Sequence, residues 1–553
     1  MAGIAQASHN PSPLSDPIPG AIPTGPFTLE LSDIASTFVF PTYVKASPDG
    51  TGRLFVAERT GIIKLIKNGA VLGVPFLDIS STSVSTNGGV LSSIAFHPDF
   101  SVANSPGEGL LYTVSQEVPG AGVADFGSSS TVKHQSVVYE WKASTSNPDV
   151  VDMVSRREIL RIDEESAAHN INDLAFGPDG YLYISKGDDD MDTSGTQDGT
   201  TIHGSILRID VDNASGGGGY SVPADNPFVA AGDPRIDEIY AYGFRNPWRI
   251  SFHPMTGDLL GSDIGEDDIE EINIVESGNY YGWIDKEGSF AFLGINQGVT
   301  DDMGDLPPGF NGIDPHAEYD HTEGDRSITG GLIYRGSLFP EMIGHYVFGD
   351  LISGRLMHVD PVTGDIQEIS IDSNGTQITS GIIGFGETEA REILLVITEL
   401  NFNPTGRVLS LVGGTAEDVD TDEDGLLNSV DTDDDNDGLV DIDEIATGTN
   451  PILFDTDGDG FGDGMEDASG HNPLSSDEYP VWGDINNDKN VDVADVLMAT
   501  RAATGAATLN DGQLARCNVA PLVAGTPETL FNDDCNVADL YLIQAKALGV
   551  INF

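Results

Sequence analysis

Between residues 28 and 412 the apolar positions come in short runs, each broken by a Gly, Pro or Asp-Gly turn. RLFVAERTG (53–61), GLLYTVSQ (109–116), SVVYEWKA (136–143), GYLYISKGD (180–188), GSILRIDVD (204–212), GHYVFGD (344–350) and RVLSLVGG (407–414) show the pattern. Such runs are strand-length and rich in β-branched and aromatic residues, and no helical period spans them. Three of them share a cadence of apolar residue, Phe and Pro turn: IAFHPDF (94–100), LAFGPDGYLYIS (174–185) and ISFHPMTGDLL (250–260). A repeat of short-stranded units without long helices predicts an all-β propeller, with a pair of β-sandwiches as the competing arrangement. The opening segment, residues 1–27, is rich in Pro, Ser and Gly and reads as a flexible leader. Past residue 413 the pattern changes. An Asp-rich array fills 414–480, and a last unit, 481–553, carries two helical patterns, VADVLMATRAATG (493–505) and VADLYLIQAKALG (537–549).

Composition agrees with several domains: 553 residues exceed one compact core. The net charge of −64, of which −27 falls after residue 413, makes nucleic acid and anionic membrane surfaces poor partners and cations natural ones. No apolar stretch reaches membrane-spanning length. Cys517 and Cys535 are the two cysteines, close enough in sequence for one local disulfide or for two free thiols. The start, Met1 followed by AGIAQAS, is that expected of a mature chain after signal removal with an added Met. Weak calcium loops suit the millimolar calcium outside cells, so a secreted, periplasmic or cell-surface address is expected.

The acidic tail has a phase. Calcium loops take ligands at positions 1, 3, 5, 7, 9 and 12, with Gly at 6 for the turn. Asp433, Asp435, Asp437, Asp441 and Glu444 fill positions 1, 3, 5, 9 and 12, with Leu439 offering its carbonyl at 7. Asp455, Asp457, Asp459, Asp463 and Glu466 repeat this, with Phe461 at 7; Asp420, Asp422, Asp424, Asn428 and Asp431 do so again. Gly425, Gly438 and Gly460 stand at position 6. The array resembles thrombospondin type 3 repeats, which wrap around Ca2+. A fourth loop places Asp484, Asn486, Asp488, Asn490, Asp492 and Asp495 at 1, 3, 5, 7, 9 and 12, directly before a helix. A weaker echo follows at Asn532, Asp534, Asn536 and Asp539. This unit resembles a dockerin, which implies a cohesin-like or cell-surface partner.

In the main domain four segments stand out: VLSSIAFHPDF (90–100), AAHNINDLAFGPDGYLYISKGDD (167–189), EIYAYGFRNPWRISFHPMTGDLLGSDIGEDDIEEINIVESGNYYGWIDKEG (238–288) and SITGGLIYRGSLFPEMIGHYVFGDL (327–351). Over residues 30–412 they resemble the soluble glucose/sorbosone dehydrogenase family, whose cofactor is pyrroloquinoline quinone (PQQ). The resemblance implies a six-bladed propeller with the quinone across the channel mouth. It implies oxidation of a sugar at the anomeric carbon, with electrons passed to an external acceptor. Such chemistry needs a base for the hydroxyl proton, and a neutral imidazole near pH 7 suits. The match gives His169 that role, with Asp188 orienting the ring. Arg245, whose guanidinium forks onto carboxylates, and Asn246 match cofactor contacts, as does Arg335. Gly265 and Glu266 match the pair whose carbonyls hold a calcium against the quinone, where it acts as a Lewis acid. Glu271 and Tyr281 match a second, structural calcium. The sequence departs from the family around Asn87, where a Gln is usual, and at Ala168, where an Asp is usual. The competing reading is a non-catalytic propeller that binds carbohydrate or protein.

Overall fold

A computed structural model describes residues 12–81, 91–127, 132–190, 195–214, 219–230, 232–360, 364–398 and 405–416. In the tail it describes 421–422, 428, 431–457, 461–475, 483–486, 490–504 and shorter stretches up to 547. The chain divides into two compact units, Met1–Thr415 and Ala416–Phe553.

The first unit is built from mainly antiparallel sheets, the first three made of strands consecutive in the chain. Pro41–Ala46, Leu54–Glu58, Ile62–Lys67 and Ala70–Val71 form the first sheet, to which Leu77–Asp78 adds along Ile62–Lys67. Ile94–Phe96, Leu110–Glu117, His134–Ala143 and Val151–Glu164 form the second; Ile171–Phe176, Leu182–Lys186, Ser205–Ile209 and Ile239–Tyr242 the third. Pro247–Phe252, Leu259–Asp263, Ile269–Val275 and Ala317–Asp320 form the fourth. An eight-stranded sheet follows, in the order Ile328–Ile333, Tyr346–Asp350, Leu356–Val359, Ile366–Ile371, Thr24–Val39, Thr405–Ala416, Ile393–Thr398 and Gly381–Glu387.

The leading strands touch one another in a closed ring. Pro41–Ala46 meets Ile94–Phe96, which meets Ile171–Phe176, then Pro247–Phe252, Ile328–Ile333 and Gly381–Glu387, which returns to Pro41–Ala46. This is the propeller that the sequence pattern predicts. Sheets stacked on both faces leave no solvent side, which is why Leu54–Glu58, Leu182–Lys186, Ser205–Ile209 and Tyr346–Asp350 are buried at every position. The cores lie between successive sheets: Phe55 and Ile63 of the first pack with Phe96, Leu111 and Trp141 of the second. Burying one such Phe contributes about 1.5–3 kcal/mol. The Phe-Pro cadence is the leading hairpin of a sheet. Phe176 and Phe252 end leading strands, and the turns after them return to Leu182–Lys186 and Leu259–Asp263.

The ring closes through the amino-terminal strand. Thr24–Val39 runs parallel to Ile366–Ile371 and lies beside the last strand, Thr405–Ala416. The described part of the Pro-rich opening is thus held rather than a free leader. Leu14 N–H donates to the Val299 carbonyl at 2.9 Å, Ile18 N–H to the Asp320 carboxylate at 3.1 Å, and residues from Thr24 on are strand.

The second unit has two short helices, Asp441–Thr447 and Asp463–Ser469, each opening at position 9 of its acidic loop. Two longer ones, Val493–Ala503 and Val537–Ala547, pack on each other around Ile485, Ala499, Cys517 and Ile543. Cys517 is buried and disulfide-bonded; Cys535 lies outside the described residues.

Candidate functional site

The third sheet brings the expected base and its partner together. Ile171 pairs with Lys186 across the hairpin, so residues two steps beyond each, His169 and Asp188, meet at the strand ends. His169 takes a left-handed backbone conformation, φ +55°. Its Nδ1 lies 2.7 Å from Asp188 Oδ1. Asp188 is buried, and its Oδ2 accepts from Trp283 Nε1 at 2.9 Å and its Oδ1 from Asp190 N–H at 2.9 Å. With Nδ1 donating to a carboxylate, the imidazole Nε2 carries the lone pair. Nε2 has no hydrogen-bond partner among the described residues, and the side chain keeps 13% of its surface exposed. Burial alone would raise the Asp188 carboxyl. The hydrogen bond and charge of His169 outweigh it and hold Asp188 below the usual carboxylate range. Trp283 is a site residue the sequence did not single out. It lies 95 residues from Asp188, and no local pattern marks it.

Arg245 and Asn246 immediately precede the leading strand of the fourth sheet, Pro247–Phe252. The Arg245 guanidinium donates to the carbonyls of Ile264 at 3.0 Å and Gly265 at 2.6 Å, pairs with the Glu266 carboxylate, and lies 5.8 Å from the Trp283 ring centre. Both residues' N–H groups donate to the buried Asp263 carboxylate, and Asn246 Oδ1 accepts from Asn172 Nδ2 at 2.8 Å. Gly265 and Glu266, expected to face a calcium, thus both face this guanidinium. Glu271 is buried; its Oε1 accepts from Gly288 N–H at 2.6 Å and its Oε2 from Asn273 at 3.0 Å. Burial pushes its carboxyl up to about 7, and the neighbouring Glu318 and Glu287 add to the shift. The Tyr281 hydroxyl donates to the Ile274 carbonyl at 2.7 Å and accepts from Glu276 N–H. It is therefore occupied, and the ring stacks on Phe244.

Arg335 is not brought to this group. It follows Ile328–Ile333, and it lines a cavity with Phe176 and Phe252, the far ends of the strands whose starts carry His169 and Arg245. Its guanidinium forks onto Glu387 at 2.9 and 3.0 Å.

In the tail, Asp433, Asp435 and Asp437 place carboxylate oxygens within 4.8 Å of one another. Glu444 at position 12 is fully buried, and neither oxygen has a hydrogen-bond partner among the described residues. Burial pushes its carboxyl up to about 10, with Asp435, Asp437 and Asp463 adding to the shift; Asp435 itself reaches about 8. Asp463 belongs to the next loop, and Gly464 N–H of that loop donates to Asp437 at 2.7 Å, so two loops share one acidic centre. The position-9 side chain recurs in one role. Asn428 accepts from Thr421 N–H, Asp441 from Asp434 N–H and Asp463 from Thr456 N–H, each at 3.0 Å. Asp431 accepts from Thr432 N–H, Leu439 is buried, and Glu466 is fully buried. Asp422, Asp455, Asp457 and Phe461 are described, whereas Asp420, Asp424, Asp459 and Asp488 lie outside the described residues. In the last unit Asp484 and Asp495 are fully buried, and Asp495 accepts from Asn486 and Asp492 N–H. Asp492 caps Val493–Ala503, and Asn490 stands just before it.

The glucose/sorbosone dehydrogenase family model matches residues 38–377, and the bacterial TSP3 repeat matches 433–453 and 455–476. The HIPL2 protein of Arabidopsis thaliana is 32% identical over 360 residues, 56% of this chain and 51% of that protein. Hedgehog-interacting protein of Homo sapiens is 29% identical over 411 residues, 69% of this chain and 52% of that protein. The chain thus spans about half the length of these curated relatives. The crystal structure of the soluble aldose sugar dehydrogenase of Escherichia coli in the apo-form superposes with a TM-score of 0.52 at 19% identity, covering 70% of this chain and 99% of that one, a likeness of fold.

Proposed function

The chain belongs to the glucose/sorbosone dehydrogenase family, and from that premise we propose that it oxidises an aldose or oligosaccharide at the anomeric carbon to a lactone. PQQ would be the hydride acceptor, and electrons would pass to an external acceptor. The observation that carries this reading is His169, with Nδ1 fixed on Asp188 and Nε2 free. Nε2 takes the proton of the anomeric hydroxyl, Asp188 stabilises the imidazolium that forms, and Trp283 holds Asp188 in place. When bound, the quinone supplies the electrophilic carbonyl that receives the hydride. The donor set beside the dyad suits it. Arg245 would hold a quinone carboxylate, while the Gly265 carbonyl and Glu266 carboxylate, both bound to that guanidinium, are oxygen donors of the kind calcium takes.

The eight-stranded sheet counts as two blades, so that the ring of leading strands makes six. The acidic loops suit Ca2+, because the unpartnered oxygens of Glu444 among three aspartates call for a cation. The unit from 481 is dockerin-like, two packed helices with a loop of calcium phase before the first, and its partner would be cohesin-like or on a cell surface. We place the protein outside the cytoplasm on the same calcium argument.

One observation favours a second reading, a non-catalytic binding propeller. Each terminal nitrogen of Arg245 has an internal partner, and Arg335 lies at the other end of the leading strands. PQQ and calcium added to the purified chain separate the two. Quinone absorbance and dye reduction with a panel of aldoses are expected; no quinone uptake at micromolar cofactor leaves the binding reading. His169→Ala should abolish turnover and leave the quinone bound.

A further inference from the structure

At the ends of the leading strands away from His169, the propeller has a half-open cavity of about 620 Å³. Its lining runs against the character of the chain. Only 25 residues of this protein of net charge −64 are Lys or Arg, yet Lys45, Arg249, Arg335 and Arg391 all face this one space. Arg335 and Arg391 share a single carboxylate, Glu387. The terminal nitrogens of Arg249 bind the carbonyls of Asn172, Trp248 and Thr42, its buried Nε has no hydrogen-bond partner among the described residues, and Asp173 stands 3.9 Å away. Lys45 makes no hydrogen bond and no ion pair among the described residues. Burial pulls its ammonium below the usual lysine range. Against these cations stand Glu387 and Asp173 inside and the exposed Glu389 at the rim. Four cations against three carboxylates leave the lining with an excess of one positive charge. A partly buried ammonium without a hydrogen-bonded anion beside this space is costly, and an anion bound there would relieve it.

We propose that this cavity is a second ligand site, separate from the His169 dyad, and that it binds a carboxylated sugar of monosaccharide size. Lys45 and the Arg335–Arg391 pair would receive the carboxylate. Asp173, held by Ser93 Oγ at 2.6 Å and Ile250 N–H at 3.1 Å, would accept from sugar hydroxyls. Phe96, Phe176 and Phe252 offer rings to the sugar's C–H faces. An anion without hydroxyls would place its body against Asp173 with no donor between them, which favours a polyhydroxylated acid over an aromatic one. The site accounts for Arg335, which the family resemblance assigned to the cofactor and the fold carries elsewhere.

The test is calorimetric titration of the full chain, without PQQ, using D-glucuronate, methyl β-D-glucoside and benzoate as probes. Glucuronate is expected to bind one per chain, at least about tenfold more tightly than either of the others. Lys45→Met and, at the exposed rim, Arg391→Ala should each weaken glucuronate about tenfold or more, while His169→Ala should leave it unchanged. No binding at millimolar glucuronate overturns the proposal, as does undiminished affinity in both cavity variants. Loss of binding in His169→Ala would move the ligand to the dyad and overturn the second site. Equal binding of benzoate would overturn the sugar class. None of these outcomes depends on quinone or turnover, so failure here is distinguishable from failure of the dehydrogenase reading.

Discussion

His169 and Asp188 were legible as a pair because they bracket one hairpin. The strands between them pair Ile171 with Lys186, and antiparallel register carries the two side chains to the same place. The left-handed backbone at His169 is a conformation that non-glycine residues seldom adopt, and it aims the ring at Asp188. Asp188→Asn removes the charge that orients and stabilises the imidazole. It should lower turnover by about two to four orders of magnitude, with quinone binding retained; steady-state rates beside quinone absorbance measure this. Since Asp188 is held below the ordinary carboxylate value of about 3.9, it is ionised through the neutral range. Its contribution to stability is complete above that value and is lost as pH falls through the lowered one.

At the scale of elements, the acidic loops were the most legible feature, since every expected ligand of a loop lies within twelve positions and glycine marks the turn. The structure adds what spacing omits: Asp463 of one loop stands with Asp435, Asp437 and Glu444 of the one before. Glu444→Gln takes one charge from that shared centre and should weaken calcium binding about tenfold or more. Calorimetric titration of the full chain checks this, with Asp443→Asn, an exposed residue out of phase, expected to match the parent. The strands were less legible individually. Continuous apolar runs fit a strand buried on both faces as well as part of a buried helix, and the turn residues decided between them.

For the whole propeller the decisive element is the strand Thr24–Val39, which lies between Ile366–Ile371 and Thr405–Ala416. Phe27 is buried against Phe339, His345 and His358, with ring centres 4.8–5.5 Å apart. His345 and His358 face each other Nδ1 to Nδ1 at 2.9 Å, and burial pulls them down to about 3 and about 4. Both are neutral in the folded protein at neutral pH. Below about pH 6.5 the unfolded chain takes up protons that the folded chain refuses, so stability falls from there toward pH 4. The urea midpoint should fall over that range, and less steeply in His345→Leu. Phe27→Ala, which leaves a cavity at the closure, should cost about 3–5 kcal/mol, read as a lower urea midpoint at pH 7.

The sequence by itself determined the all-β class, the acidic loops with their phase, and the His169–Asp188 pair. Each rests on residues close in the chain, where local geometry leaves few arrangements. Only the tertiary structure decided which distant residues meet. It brought Trp283 to Asp188 and Arg245 to Gly265 and Glu266. It also carried Arg335 to the far end of the leading strands, beside Lys45. The reason is the ring. Each strand has two ends that the same motif names equally well, and the direction in which the closed ring threads them sends one end to the dyad and the other to the cavity.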